Sequence, residues 1–180
     1  LVFRVLRKMG SDFFKQTPQF KTFINIIFQN MKICICSSMA FYEKFIALKK
    51  ELENVGHSVI VPELEFETKG DDTSVGAFFD RNGGVDAFPP NHDVWKKKGK
   101  AINAHFRKID DSECVLITNY EKKGVPNYIG GNTFLEMGYA YGTGKKIFVL
   151  NEMPVASIYK EEMLGMQPII LYGDISKIGK

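Results

Sequence analysis

The chain has few cysteines, a single tryptophan and no long apolar run. Three cysteines among 180 residues cannot all pair with one another, which argues against a secreted disulfide scaffold and favours a reducing cytoplasm. No run approaches the roughly 20 apolar residues that a helix needs to cross a bilayer, so we expect no membrane as a partner. Apolar residues make up 44% and charged residues 25% of the chain, which excludes disordered and fibrous classes.

The basic character of the chain is confined to its first 30 residues. The formal net charge is +3, but this segment holds one acid, Asp12, against five basic side chains: Arg4, Arg7, Lys8, Lys15 and Lys21. Residues 31–180 therefore carry 19 basic and 20 acidic side chains. Because binding to a polyanion needs clustered positive charge, this nearly neutral body does not favour a nucleic acid polymer as partner.

The first 30 residues differ from the rest, and three interpretations stay open. One is an amphipathic segment that binds a membrane surface or a partner, because four apolar side chains have helical spacing: Phe20, Phe23, Ile24 and Ile27. A targeting peptide is the second, although a small-residue cleavage site is lacking. The third is that translation starts at Met31. We therefore divide the chain into an N-terminal extension, 1–30, and a folded domain, 31–180.

From Met31 onward, short apolar runs alternate with segments of helical periodicity. The runs predict strands at residues 32–36, 58–61, 113–119, 146–150 and 168–171. Helical spacing predicts helices at 40–55, 94–110, 133–141 and 159–164, the first with one apolar face: Phe41, Phe45, Leu48, Leu52 and Val55. This alternation predicts an α/β fold, a single-domain flavodoxin-like or Rossmann-like parallel five-stranded sheet with helices on both faces. We expect the acidic segment 62–93 to be a loop that is either functional or partly disordered.

Polar residues follow the predicted strands at the edge where such a sheet binds ligands. Ligands lie beyond the carboxyl ends of parallel strands, near the point where the strand order reverses. The two glycines after the third strand let backbone N–H groups approach a ligand closely, and the helix start favours negative charge. The candidate binding residues at this edge are Ser37, Ser38, Met39, Asn119, Gly130, Gly131 and Asn132. We expect Ser37 and Ser38 to bind hydroxyl groups or a phosphate.

Glu136 is the candidate nucleophile, and its position permits two interpretations. It could be a carboxylate that faces the cleft from the first turn of a helix. It could also satisfy a backbone N–H, because Thr133-x-x-Glu136 is a capping box. The two roles are compatible, since a carboxylate near a helix start is expected to stay ionised, as a nucleophile must.

The segment 102–150 resembles the core of the nucleoside 2-deoxyribosyltransferase-like superfamily, which includes deoxyribosyltransferases and 2′-deoxynucleoside 5′-phosphate N-hydrolases. The resemblance lies in an E-x-G-x-A motif at Glu136-Met137-Gly138-Tyr139-Ala140, then Gly144-Lys145 and the strand KIFVL. With the opening KICICSS, it covers about residues 31–172. The segment GGNTFLE is also similar to the signature of the lysine-decarboxylase-like phosphoribohydrolases, one residue short. Both resemblances imply chemistry at an N-glycosidic bond.

The resemblance implies that Glu136 attacks the anomeric carbon of a nucleoside or a nucleoside 5′-monophosphate. Water completing the reaction would give a hydrolase, and an incoming base would give a transferase. It implies that Ser37-Ser38-Met39 holds the sugar or the 5′-phosphate and that the glycine turn shapes the sugar site. It further implies a homo-oligomer that needs no metal or redox cofactor.

The chain departs from this pattern at His105. The resembling proteins commonly carry an aspartate at or near this position, upstream of the third strand. A histidine can serve as a general acid near neutral pH, but His105 could equally be a packed residue beside Phe106. The alternative carboxylates are Asp93, Asp110 and Asp111. The departure keeps open a second function, a non-catalytic nucleotide-binding sensor module on the same fold.

The remaining candidates for chemistry are weaker. Neither His57 nor His92 has metal-ligand spacing with a cysteine, so we predict no metal site. Cys34 and Cys36 share one strand face, and they are interpreted, like Cys114, as buried packing residues. Trp95, the lone tryptophan, is interpreted as an anchor of its helix rather than as a stacking surface for a base.

Overall fold

A computed structural model describes residues 30–63, 75–155 and 157–179 of the chain. The interpretations of the N-terminal extension lie outside the described residues, except for Asn30, and so does most of the first half of the acidic segment. Within the described ranges, no helix is long and apolar enough to cross a membrane.

The sheet has five parallel strands in the order β2-β1-β3-β4-β5. This order and the parallel pairing confirm the predicted α/β, flavodoxin-like class. The strand bounds are β1 Lys32–Ser37, β2 Ser58–Ile60, β3 Cys114–Thr118, β4 Lys146–Val149 and β5 Ile169–Ile170. The predicted strands thus exist, and no bound differs from the predicted one by more than one residue.

Helices connect the strands, and single 3-10 turns lie at Met39–Phe41, Val85–Ala87 and Ile175–Lys177. The α-helices are α1 Tyr42–Asn54, α2 Val75–Arg81, α3 Asp93–Asp110, α4 Gly131–Gly142 and α5 Lys160–Gly165. Four of them match predicted helices. The sequence did not predict α2, which lies in the segment expected to be a loop, because its short apolar run has no extended helical periodicity.

Side chains of β1 alternate between two apolar layers, as the period of two along a strand requires. Ile33 and Ile35 pack with α1 on one face of the sheet. Cys34 and Cys36 pack on the other face, with Ile109 of α3 and with Met137 and Ala140 of α4. Helices therefore cover both faces, as predicted, and α3 and α4 share the face that carries the two cysteines.

A small aromatic cluster packs α2 against the start of α3. Trp95 stacks on Phe79, with ring centroids 5.4 Å apart, and its indole N–H donates to the Pro89 carbonyl over 2.9 Å. These contacts confirm that Trp95 anchors its helix. An open cavity of about 520 Å³ lies beside it, lined by Val85, Asp86, Phe88, Pro89, Pro90 and Trp95.

Four of the five side chains predicted for this apolar face are buried, three on α1 and Phe41 on the 3-10 turn that precedes it. Phe45 and Leu52 are fully buried, but Val55 is 48% exposed. The prediction for Val55 was wrong because the helix ends at Asn54 and the chain turns at Gly56, whose φ of 103° favours glycine. The apolar periodicity therefore continues one residue beyond the helix.

We expect Leu52→Ala to lower the free energy of unfolding by about 2–5 kcal/mol, because it removes buried methyl groups and leaves a cavity. Val55→Ala, on the same segment but exposed, should change it by no more than about 0.5 kcal/mol. Urea denaturation followed by circular dichroism measures both values. Equal effects of the two substitutions would contradict this assignment of the core.

Candidate active site

The order of the strands reverses between β1 and β3, because one connection from β1 leads outward to β2 and the next returns to β3 on its other side. Loops after the two strands diverge there, which leaves a crevice at their carboxyl ends. The residues predicted to be catalytic, His105 and Glu136, lie on the two helices that cover this part of the sheet, α3 and α4.

His105 faces the sheet because α3 is amphipathic. Its buried residues are Val94, His105 and Ile109, and the last two are separated by one helical turn, so both point at the cysteine face of β1. The imidazole Nε2 lies 3.7 Å from Glu136 Oε2 and 3.8 Å from Cys34 Sγ. The fold therefore brings together the two residues that the sequence proposed as catalytic.

Glu136 belongs to the second turn of α4 and does not cap it. The helix starts at Gly131 and its N-cap is Gly130, with no capping side chain. The capping-box interpretation of Thr133 and Glu136 is therefore wrong, because Thr133 already lies inside the helix. Instead, Thr133, Met137 and Ala140 are buried against the sheet, and Glu136 is carried inward on the same side, with its side chain only 15% exposed.

Burial dominates the electrostatics of Glu136. It raises the pKa of the carboxyl to about 7, while the nearby His105 opposes this rise. Among the described residues, Glu136 Oε2 is a buried oxygen with no hydrogen-bond partner. Glu136 lies a turn deeper than the free N–H groups of α4, so the expectation that the helix start keeps this carboxylate ionised stays a prediction.

His105, Cys34 and Cys36, which lie near Glu136, shift one another's pKa values. Desolvation alone would lower the pKa of His105, but the adjacent Cys34 and Glu136 raise it above its usual value. A hydrogen bond with Cys36 lowers the pKa of Cys34 to about 6, assisted by His105 and opposed by burial. Burial raises the pKa of Cys36 well above its usual value, assisted by Cys34 and Glu136. Four buried groups thus share one electrostatic environment.

Aromatic packing fixes α3 against α4. Phe106, next to His105, stacks on Tyr139, three residues after Glu136, with ring centroids 4.0 Å apart and an interplanar angle of 3°. The Tyr139 hydroxyl also donates to the Asp110 carboxylate, 3.0 Å from each oxygen. These contacts hold α3, which carries His105, against α4, which carries Glu136.

Asp110, one of the alternative carboxylates, is therefore bound at the helix interface. Asp93, another, pairs with Lys96 at 2.8 Å on an exposed surface. Asp111, the third, caps the C-terminal end of α3. These contacts leave Glu136 as the carboxylate that the fold brings to His105 among the residues the sequence proposed.

Hydroxyl groups and a lysine line the carboxyl ends of β1 and β3. The Thr118 hydroxyl donates to Ser37 Oγ over 2.6 Å. The Lys122 ammonium donates to Ser38 Oγ over 3.3 Å and lies 5.1 Å from the centre of the Tyr128 ring. Ser38 and Met39 are half-buried, whereas Ser37 is buried. A hydroxyl and a cation thus meet where a phosphate was predicted.

The glycine turn lies against the same loop. A Cβ built on Gly130 would lie 3.0 Å from the Tyr128 hydroxyl oxygen, so a side chain at this position would displace the ring. Gly131 and Asn132 are exposed at the first turn of α4. Their predicted contact with a sugar stays a prediction.

Asn119 is fully buried and joins the ends of β3 and β4. Its side-chain amide donates to the Glu152 carbonyl over 2.7 Å, and its Oδ1 accepts from the Asn151 backbone N–H over 2.9 Å. These bonds give Asn119 a structural role. Its contact with substrate stays a prediction, and this geometry does not favour it.

Sequence reasoning missed three members of this region. Lys122 lies in the loop after β3, and its position after a predicted strand was the signal that could have identified it. Cys34 and Cys36 were interpreted as packing residues, and they are buried, but their thiols face His105 and Glu136. Nothing in the local sequence reports that contact, since the partners are about 70 and 100 residues away along the chain.

No family model matches the chain, and no curated protein matches it. Among solved structures, it is similar to the 2-deoxyribosyltransferase of the psychrotolerant bacterium Bacillus psychrosaccharolyticus. The TM-score is 0.46 and the sequence identity 14%, and the match covers 75% of this chain and 81% of that chain. A likeness at this level assigns neither an activity nor a residue role.

We expect a double-mutant cycle of Phe106→Ala and Tyr139→Ala to give a coupling energy of about 0.5–1.5 kcal/mol, the range for a stacked aromatic pair. Urea denaturation of the two single variants and the double variant measures it. Tyr139→Phe, which keeps the ring but loses the bond to Asp110, serves as the control. Additive effects of the two alanine substitutions would show that the stack does not stabilise the α3–α4 contact.

Proposed function

We propose that the protein cleaves or transfers at the N-glycosidic bond of a nucleoside or a nucleoside 5′-monophosphate. The observation that supports this most is the pair of Glu136 and His105, 3.7 Å apart, beside the point where the strand order reverses. The E-x-G-x-A motif at 136–140 supports the same class of reaction. The proposal names a carboxylate and an imidazole because this chemistry needs a nucleophile and a proton donor.

The first step transfers the sugar to the protein. The ionised Glu136 carboxylate attacks the anomeric carbon, the N-glycosidic bond breaks, and the departing base takes a proton from the imidazolium of His105. Both groups must carry charge at once, and the Glu136 carboxylate beside the His105 imidazolium is the form that meets both needs. Because each charge stabilises the other, this form is accessible even to a carboxyl group that burial disfavours as an anion.

The second step releases the sugar. The neutral imidazole of His105 takes a proton from a water molecule or from an incoming base. The deprotonated water or base then attacks the anomeric carbon and displaces Glu136 as a carboxylate. Water gives hydrolysis and a base gives transfer. Two displacements at one carbon retain its configuration, as in retaining glycosidases.

Ser38 and Lys122 favour the 5′-monophosphate over the free nucleoside. The lysine ammonium donates to the serine hydroxyl, and both lie at the carboxyl end of the sheet. A phosphate oxygen placed between them would accept from both, and charge-assisted bonds of this kind are stronger than neutral ones. The 5′-phosphate would thus anchor the sugar while its anomeric carbon faces Glu136.

A nucleotide-binding sensor module without turnover is the second candidate. The burial of Glu136, whose pKa rises to about 7, favours it, because a nucleophile must be ionised. The two functions are separated by one assay, since a sensor binds nucleotides without releasing base.

We expect Glu136→Gln to abolish release of free base and His105→Asn to slow it by roughly 10²–10⁴-fold, the range for loss of a general acid. The amide of glutamine preserves the shape of the side chain but is not a nucleophile. A panel of deoxynucleosides and their 5′-monophosphates, with a chelator present and chromatographic detection of free base, measures the rates.

Glu161→Gln, an exposed glutamate on α5, is the matched control and should leave the rate unchanged. Full activity in Glu136→Gln would disprove the proposed nucleophile. Tight binding of a nucleotide by the wild-type protein, with no release or exchange of base, would support the sensor instead.

We expect Lys122→Met to raise the KM for a 5′-monophosphate by about tenfold, which corresponds to the loss of a bond to a charged group, and to leave the KM for the free nucleoside unchanged. Lys123→Met, an exposed neighbour, is the control. Steady-state kinetics with the two substrate forms measures the difference. An equal effect on both forms would contradict phosphate binding by Lys122.

A further inference from the structure

We propose that Cys34, Cys36, His105 and Glu136 form a binding site for a thiophilic divalent cation, with Zn²⁺ as the best match. The two sulfur atoms and one imidazole nitrogen of Cys34, Cys36 and His105 all lie within 4.8 Å of one another. Glu136 Oε2 adjoins the same nitrogen at 3.7 Å. The residues come from three separate elements, β1, α3 and α4, which converge on one point beneath the helices.

Two of the separations in this group are close to those of a tetrahedral zinc site. Bonds of about 2.3 Å to sulfur and about 2.0–2.1 Å to nitrogen or oxygen place S and N roughly 3.6 Å apart and N and O roughly 3.4 Å apart. The separations here are 3.8 Å between Cys34 Sγ and His105 Nε2 and 3.7 Å between His105 Nε2 and Glu136 Oε2. These two separations exceed the tetrahedral values by only a few tenths of an ångström, and the two sulfurs and the imidazole nitrogen lie within 4.8 Å of one another.

The way His105 is shared argues against a catalytic triad built on Cys34. In a triad, the nucleophile and the orienting carboxylate contact different nitrogens of the imidazole. Here Cys34 and Glu136 both approach Nε2. A bound cation requires several ligand atoms directed at one point, and it would be held by the lone pair of this one nitrogen.

A disulfide between Cys34 and Cys36 does not fit the geometry either. Residues two positions apart on a strand lie on the same face, and their Cβ atoms are about 6.6–6.8 Å apart. A disulfide needs Cβ atoms roughly 3.5–4.5 Å apart. Two thiols that face the same partners without being able to pair are well placed to hold a metal ion between them.

The buried carboxylate oxygen and the surrounding charges support a cation here. Glu136 Oε2 is buried without a hydrogen-bond partner among the described residues, which is costly unless a ligand satisfies it. Two thiolates and a carboxylate around Zn²⁺ leave one net negative charge. Lys108 acts electrostatically on Cys34 and His105, and Lys98 acts on Glu136, so two cationic side chains would offset this charge.

The metal site does not depend on the proposed function, but it affects it. A cation bound to all four groups occupies both His105 and Glu136, so neither is free to act on a sugar. If the N-glycosidic activity exists, Zn²⁺ should inhibit it and a chelator should restore it. Binding itself is measured without nucleoside, so failure of the metal site and failure of the proposed function are distinguished.

The test uses the full chain, stripped of metal by a chelator and kept reduced, and titrated with Co²⁺. A tetrahedral thiolate site gives thiolate-to-cobalt charge-transfer absorption and intense visible bands, which Zn²⁺ should abolish by competition. We expect one Co²⁺ per chain, and we expect Cys34→Ser, Cys36→Ser and Glu136→Gln each to weaken binding at least roughly 10–100-fold, the range for loss of a mere outer-shell partner. Cys114→Ser is the matched control.

Cys114 is also a buried cysteine on the same sheet, but it packs in the layer on the opposite face. Its substitution should leave the cobalt spectrum unchanged, and circular dichroism establishes that each variant folds. If a cysteine variant fails to fold, X-ray absorption at the zinc edge of the wild-type protein replaces it and should show two sulfur and two nitrogen or oxygen neighbours. The proposal would be overturned if the charge-transfer band were absent, or if the metal had only oxygen and nitrogen neighbours. An equal loss of cobalt affinity in Cys114→Ser would overturn it as well.

Discussion

The packing of α3 and α4 over one face of β1 is the constraint on which the candidate site depends. Because side chains alternate along a strand, covering this face with two helices directs Cys34 and Cys36 at whatever those helices carry inward. They carry His105 and Glu136, and the stack of Phe106 on Tyr139 holds them together. The polar group is therefore a consequence of helix packing and strand period, and it exists only if both are in place.

Burial gives this group its chemistry. Taken out of water, Glu136 resists ionisation, and its pKa rises to about 7. The same burial leaves Cys34 dependent on Cys36 and His105 for its acidity, because no solvent stabilises the thiolate. Such a group is poised between several protonation states, which suits either proton transfer with a nucleophile or the capture of a cation. The two uses share His105 and Glu136, so they exclude each other at any moment.

The sequence predicted the fold well because the strands and helices of an α/β fold produce local patterns of apolar residues. In the described part of the chain, short apolar runs marked all five strands, and helical periodicity marked four of the five α-helices. Where periodicity was weak the prediction failed, as with α2, which is stabilised by Phe79 and Trp95 rather than by an amphipathic pattern of its own. The ends of elements were also less certain, since Val55 continues the periodicity of α1 but lies beyond its end.

The sequence by itself determined the order of strands and helices, the edge of the sheet where a site belongs, and His105 and Glu136 as its candidate residues. Local sequence supported a capping role for Glu136 just as well, and only the tertiary structure decided against it by starting α4 at Gly131. Only the tertiary structure placed Cys34 and Cys36 beside that pair. The physical reason is that periodicity reports which face a residue occupies on its own element, whereas contacts between faces are set by how distant elements pack.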